Sequence, residues 1–270
     1  MRRVPSAAMA GAPGRSIIIA VGDEVLGGFV LDSNSNWLAQ RLREAGYAAE
    51  RIEVVADRDD AIVAAIRRAL AETAVTRILV SGGVGPTPDD RTLAAVARAL
   101  DRPLEENAEA LAHVQGIVRR MHAAGWVPSD EISAANRRMT VVPRGAVVLT
   151  NRRGMAPGLA YDLDQGGTRW LLVLPGIPRE MTTIFAEEAL PRLFSGGAVE
   201  HVAEARYGYA IEAEFVGPMT VLGNEYPDVA VGSYPQTETR ELVIRLWGGN
   251  AAQVEAAFRR LLELRPLAER

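Results

Sequence analysis

The chain has 270 residues, 48% of them hydrophobic, enough apolar material for one large core and a small one. Its 30 basic and 34 acidic side chains leave a net charge of −4, which excludes a general electrostatic pull toward nucleic acid or an anionic membrane. There is no cysteine, so disulfides, thiolate catalysis and Cys-ligated zinc are excluded, and a cytoplasmic location fits.

Met1 to Arg15 is rich in Ala, Gly, Pro and Arg and lacks the apolar run of a secretory signal. It reads as a disordered extension. No segment reaches the roughly 18 apolar residues of a membrane span. Ser16 to Val21 is a short β-branched run that suits a buried parallel strand. Ser33 to Ala45 reads as a helix with Leu38, Leu42 and Ala45 on one face, capped by Asp32, Ser33 or Asn34 and ended by Gly46. A strand near Arg51 to Val55 and a helix from Asp59, with Ile62, Ile66 and Leu70 in line, come next. Arg77 to Val80 is a third strand, running into a Gly/Pro loop and a helix from about Pro88 to Leu100.

The alternation predicts a parallel sheet with helices on both faces. Further helices are expected over Asn107 to Ala123, with Leu111, Val114 and Val118 inward, over Asp130 to Met139 and over Arg179 to Leu193. Strands are expected at Ala146 to Leu149, Gly158 to Leu163 and Arg169 to Leu174. Ser195-Gly196-Gly197 is a plausible joint. The residues after it read strand, helix, strand, strand, helix, with Leu242, Ile244 and Leu246 on one strand face. The organisation is therefore an extension over residues 1–15, a large domain over 16–195 and a small α+β domain over 196–270.

The strongest local signal is Ser81-Gly82-Gly83-Val84-Gly85-Pro86-Thr87-Pro88-Asp89-Asp90. Three glycines permit positive φ and close approach of backbone to a ligand. A helix start after them adds unpaired amides and a positive dipole end, the ingredients of a phosphate site. Helix capping alone would account for Thr87, Pro88 and one aspartate, but it does not require the glycines. Gly22-Asp23-Glu24 follows the first strand. Its carboxylates are either a solvated turn or ligands for a hard cation such as Mg²⁺. Both loops lie at strand carboxyl ends, where open parallel sheets bind ligands. Leu174-Pro175-Gly176-Ile177-Pro178-Arg179-Glu180 follows another strand and can join the same crevice. Asn34 is either part of the cap or a crevice residue. Arg152 and Arg153 suit phosphate or solvent, and Tyr234 either closes over a ligand or, the favoured reading, packs. His113, His122 and His201 have no ligand-like spacing, and no Ser-His-Asp arrangement is readable.

Together these blocks resemble the CinA (competence/damage-inducible) family. Gly22 to Gly28 with Asp32-Ser33-Asn34 looks like its opening signature, and Ser81 to Asp90 looks like its Gly-Gly-x-Gly-Pro-Thr-x-Asp-Asp loop. Asn136, Pro143, Ala156-Pro157-Gly158, Leu174 to Glu180 and Tyr234 match later blocks in order, and Tyr234 is also similar to the related domain of some FAD synthases. The resemblance implies a three-layer α/β/α sandwich with a mostly parallel sheet, shared with the molybdopterin-binding MoaB and Mog proteins. It associates such a domain with metal-dependent ADP-ribose pyrophosphatase activity, and its relatives with FAD hydrolysis, molybdopterin binding and adenylyl transfer. Family members often carry a further C-terminal deamidase domain, which this chain is expected to lack. The basic stretch Asn151 to Met155 departs from the family pattern and bears on substrate choice.

The leading expectation is hydrolysis of a nucleoside diphosphate-linked substrate, ADP-ribose first, with FAD or a pterin as other small ligands and no nucleic acid or membrane partner. Amides of Gly82, Gly83 and Gly85, helped by Ser81, Thr87, Asn34, Pro175 and Gly176, would hold the phosphates. Asp23, Glu24, Asp89 and Asp90 would hold Mg²⁺, Mn²⁺ or Co²⁺, with Asp90, Asp89 and Asp23 serving catalysis. A molybdopterin- or nucleotide-binding module without turnover, and adenylyl transfer in molybdenum cofactor synthesis, are the alternatives. The resemblance also implies a homo-oligomer.

Overall fold

Ser16–Val21 forms β1, buried at all six positions. In the computed structural model, which describes residues 14–267, this run lies inside a six-stranded sheet. Ile17, Ile19 and Val21 point into one core and Ile18 into the other. A strand covered on both faces must be apolar throughout rather than alternating. Helix α1 (Asp23–Leu26) follows, then α2 (Ser33–Glu44), where the Ser35 amide donates to the Asp32 cap at 2.9 Å. β2 (Ala49–Val55), α3 (Asp59–Ala71), β3 (Arg77–Ser81) and α4 (Thr92–Ala99) continue the alternation. After them come β4 (Leu104–Glu106), α5 (Ala108–Ala123), α6 (Ala134–Arg137), β5 (Val141–Pro143), β6 (Val147–Leu149), β7 (Gly158–Asp162) and β8 (Trp170–Leu174). Two more helices, α7 (Pro178–Ile184) and α8 (Leu190–Leu193), are joined by a π turn at Phe185–Ala189.

The large sheet has the order β2-β1-β3-β8-β7-β6. β2, β1, β3 and β8 are parallel, and β7 runs antiparallel to both β8 and β6. In register, Ile18 lies opposite Ile52 on one side and Leu79 on the other, and Leu79 lies opposite Leu172. α3 and α4 cover the face of Ile17 and Ile78, while α2 and α7 cover the face of Ile18 and Leu79. The result is the expected three-layer α/β/α arrangement with a mostly parallel sheet.

Several expected elements are shorter or differently aligned. The helix expected from Pro88 begins at Thr92, because residues 87–90 close a turn. On α5 the inward line is Ala110, Val114 and Val118, spaced by four, and Leu111 is only half-buried. The expected Asp130 to Met139 helix shrinks to α6, capped by Ser133. The expected Arg179 to Leu193 helix is split by the π turn, where Pro191 has no N–H for the helical ladder. The expected extension falls outside the described residues except at Gly14, whose amide donates to Gly46, and Arg15, which pairs with Glu50 at 2.8 Å.

The chain divides into two units, Met1–Gly197 and Ala198–Arg270. The second contains β9 (His201–Gly208), α9 (Val216–Glu225), β10 (Ala230–Gln236), β11 (Glu241–Gly248) and α10 (Ala251–Leu264). Its antiparallel sheet has the order β10-β11-β9. Leu242, Ile244 and Leu246 pack on Val254, Ala257 and Leu261 of α10. Among the described residues, no helix is long and apolar enough to cross a membrane.

Candidate functional site: a crevice at the strand carboxyl ends

Four loops leave the carboxyl ends of the parallel strands and meet around a cavity of about 640 Å³. They are residues 22–24 after β1, 56–58 after β2, 82–91 after β3 and 175–177 after β8. This is the position at which open α/β sheets collect ligands, and the volume suits a small molecule. Asn136, Met139, Met155 and Ala156 form the remaining wall.

The glycine loop is held by two backbone constraints. Gly82 has φ +108°, and a Cβ there would run into the Val21 carbonyl oxygen. Gly83 has φ +64°, with Thr92 Oγ1 beside it. Only glycine meets both conditions without strain. Thr92 then anchors the loop to α4, its hydroxyl donating to the Gly82 carbonyl at 2.7 Å and its amide to the Gly83 carbonyl at 3.0 Å.

Two of the three glycine amides expected to hold phosphate are already paired. Gly82 N–H donates to Leu174 O at 3.0 Å, and Gly85 N–H donates to Asp90 Oδ1 at 2.6 Å. Among the described residues, the amides of Gly83 and Val84 donate to no protein acceptor. Asp90 Oδ2 also accepts from the Thr87 amide at 2.8 Å and the Thr87 hydroxyl at 2.5 Å. Asp90 is thus a brace inside its own loop rather than a carboxylate free for metal, and Thr87 is a turn residue rather than a helix cap.

Asn34 does reach the crevice edge. Its amide donates to Gly176 O at 2.7 Å and lies 3.4 Å from Ser81 Oγ, while Oδ1 is buried without a partner. Ser81 Oγ donates to Pro175 O at 3.2 Å, so Ser81, Pro175 and Gly176 form the floor between β3 and β8.

The acidic side of the crevice contains a residue that sequence reasoning missed. Asp57 Oδ2 accepts from the Asp23 amide at 2.8 Å. Burial raises the Asp57 carboxyl above its ordinary value; the Asp23 amide bond opposes this, and the charges of Asp23, Glu24 and Asp89 add to it. Asp57 follows β2, so the strand-end rule that singled out Asp23 applies to it equally. Asp23, Glu24, Asp89 and Asp90 do not form the expected cage. Among the described residues, no three His, Cys, Asp or Glu side chains gather closely enough to hold an ion.

Glu180 closes the wall opposite. It is 9% exposed and accepts from Asn151 Nδ2 at 2.6 Å. Burial raises its carboxyl above the ordinary value, with the Asn151 amide opposing. Asn151 Oδ1 in turn accepts from the amides of Arg153 and Gly154, both at 2.9 Å, and so shapes the basic loop. Twenty-nine residues separate the two partners, and no local spacing announces such a pair. Arg152 points away from the crevice toward Glu187, at 3.5 Å. In the second unit, Tyr234 lies under the Arg245 guanidinium at 4.9 Å, a packing role. His113 is half-buried with its imidazole pKa lowered by burial and then by Arg120. His122 Nδ1 meets Val127 O at 3.1 Å, and His201 is exposed at the start of β9.

The family profile described as a probable molybdopterin binding domain matches residues 17–195, and that of the FAD synthase middle domain matches residues 207–268. A protein of Pyrobaculum calidifontis is 35% identical over 258 residues, covering 92% of this chain and 94% of that one. A CinA-like protein of Synechococcus sp. is 34% identical over 249 residues, covering 89% of this chain and 55% of that one. The crystal structure of the protein CinA from Thermoplasma acidophilum superposes with a TM-score of 0.56 at 28% identity, covering 65% of this chain and 97% of that one. With two thirds of its length matched to the MoaB/Mog-like fold and CinA-like relatives along most of its sequence, the chain belongs to the molybdopterin-binding domain family, on its CinA-like side.

Proposed function

We propose that the crevice binds a small phosphorylated ligand, a pterin or a nucleotide, with phosphate at the Gly83 and Val84 amides. The supporting observation is the glycine loop, whose positive-φ pair leaves two unpaired amides among the lining of a cavity at the strand carboxyl ends. The cavity lining contains Glu24, Asp57, Asp89, Asp90 and Glu180 and no Lys or Arg. A bare phosphate would be repelled there, so the ligand enters with a divalent cation. An ion shared with the ligand is what this lining would accept rather than a resident one: no three carboxylates gather closely enough to hold an ion among the described residues, while single oxygens of Glu24 or Asp89 would suit Mg²⁺, Mn²⁺ or Co²⁺ beside phosphate.

Hydrolysis of a nucleoside diphosphate-linked substrate, ADP-ribose first, is the finer reading, and the raised carboxyl of Asp57 favours it. Water adds to one phosphorus, the bridging P–O bond breaks, and AMP and ribose 5-phosphate leave. A bound cation would offset charge on the phosphates. Asp57 is the base placed to take the proton from water, while the Gly83 and Val84 amides hold the phosphate in place.

The test is a product assay with ADP-ribose, FAD and NAD⁺, each with Mg²⁺, Mn²⁺ or Co²⁺. AMP formed by the wild type and lost in a folded Asp57→Asn variant supports hydrolysis. Binding without AMP under any condition leaves the ligand-binding module. Release of adenylylated molybdopterin from molybdopterin and ATP would instead indicate adenylyl transfer.

A further inference from the structure

A second hollow, of about 520 Å³, lies between α5 and the loop 151–155. Ile117, Arg120, Met121 and Ala124 line it from the helix. Their spacing of three and four puts them on one face. Trp126 stands at its edge, 76% exposed, just past the helix end where Gly125 takes φ +74°. Arg153 approaches from the loop. Among the described residues, neither Arg120 nor Arg153 is paired with a carboxylate, although most arginines of the chain are. The carboxyl end of α5 is the negative end of its dipole, and Arg152, which also lines the hollow, is paired with Glu187, so the positive field comes chiefly from these two guanidiniums.

The two hollows are adjacent. Met155 lines both, and Asn151, which lines the second, holds Glu180 of the first. The first is acidic and carries unpaired amides; the second has an exposed indole, thioethers and two unpaired cations. An aromatic face beside arginines suits a flat ring that carries an anionic group.

We propose that the hollow at Trp126, Arg120 and Arg153 is a second ligand subsite, for a flat ring with its adjacent phosphate, one half of a two-ended ligand. It rests on the crevice reading above and extends it, because a ligand reaching past Met155 joins two phosphate- or ring-bearing halves. The basic loop then sets substrate choice by selecting for length. Trp126 and Arg153 are exposed, so their removal leaves the core intact.

Calorimetric titration of the full chain, with Mg²⁺, compares two-ended FAD and ADP-ribose with one-ended AMP. The wild type is expected to bind the better two-ended ligand at least tenfold more tightly than AMP. A Trp126→Ala/Arg153→Ala double variant is expected to bind both within about twofold. An undiminished preference in the double variant, or no preference in the wild type, overturns the subsite and leaves the crevice reading standing. No binding of any of the three by the wild type counts against the crevice itself, and the subsite falls with it. Wild-type self-association in sedimentation that the double variant abolishes would make the patch a contact between copies, and would overturn the proposal.

Discussion

Replacing Asp90 with alanine removes the acceptor of three donors at once: the Gly85 amide, the Thr87 amide and the Thr87 hydroxyl. The Gly85 amide is half-buried, and such a donor left unpaired costs about 1–3 kcal/mol, while the exposed Thr87 donors can turn to water, so Asp90→Ala is expected to lower the thermal midpoint and loosen the loop. Asp90→Asn keeps an acceptor oxygen and should lose less than half as much. Equal midpoints for Asp90→Ala and wild type in thermal denaturation would remove the bracing role. Asp57 makes a different prediction. Its folded pKa lies above the ordinary value, so the folded state holds the proton more tightly than the unfolded chain. Its contribution to stability is fully present below the unfolded pKa and is lost as pH rises through the folded one. Asp57→Asn keeps an acceptor for the Asp23 amide and removes that loss. The variant should be more stable than wild type at pH 7, with the difference vanishing toward pH 4 in urea titrations. A variant less stable at pH 7 would contradict the assignment.

At the scale of elements, the central strands were readable because burial on both faces leaves a continuous apolar run. β1 and β3 are such runs, as is β8. Leu79 is fully buried in the middle of β3, between Ile18 and Leu172. Leu79→Ala should therefore cost about 2–5 kcal/mol, measured by urea unfolding; a cost below 1 kcal/mol would mean the core collapses around the gap. β4 and β5 were not legible. Each is three residues long, and they pair only with each other across more than thirty positions, so neither carries a periodic signal. The start of α4 departs from its local spacing for a related reason. Thr87, Pro88 and Asp90 carry the residue types of a helix start, and the Thr87 amide donates to the Asp90 carboxylate as in such a box. Yet Thr92, through its bonds to Gly82 and Gly83, decides where the helix begins. Local spacing named the participants, and a tertiary bond chose among them.

At the scale of the whole molecule, the crevice follows from topology. Parallel strands aim their carboxyl ends the same way, so loops far apart in sequence converge, and Glu24, Asp57, Gly83 and Gly176 meet although no local spacing links them. The composition hides the balance of charge inside this assembly. A net charge of −4 over 270 residues is modest, but the crevice lining is entirely acidic among its charged groups. Binding of a phosphorylated ligand without a divalent cation should consequently improve as salt screens the repulsion, the reverse of the behaviour of a basic phosphate site. Affinity that falls with salt in metal-free buffer would place the phosphate elsewhere, with the arginines of the second hollow the first place to look.

Calorimetry can show whether the glycine loop holds the phosphate of a small ligand. The full chain would be titrated with ADP-ribose and FAD in Mg²⁺, beside a Gly83→Ala variant whose far-UV circular dichroism matches wild type. Alanine at Gly83 must adopt φ near +64° next to Thr92 Oγ1, which displaces the Gly83 and Val84 amides. Saturable one-to-one binding is expected for the wild type, weakened at least tenfold in the variant, which is about 1.4 kcal/mol. Equal affinity in the two proteins, or no heat from either ligand, would contradict it.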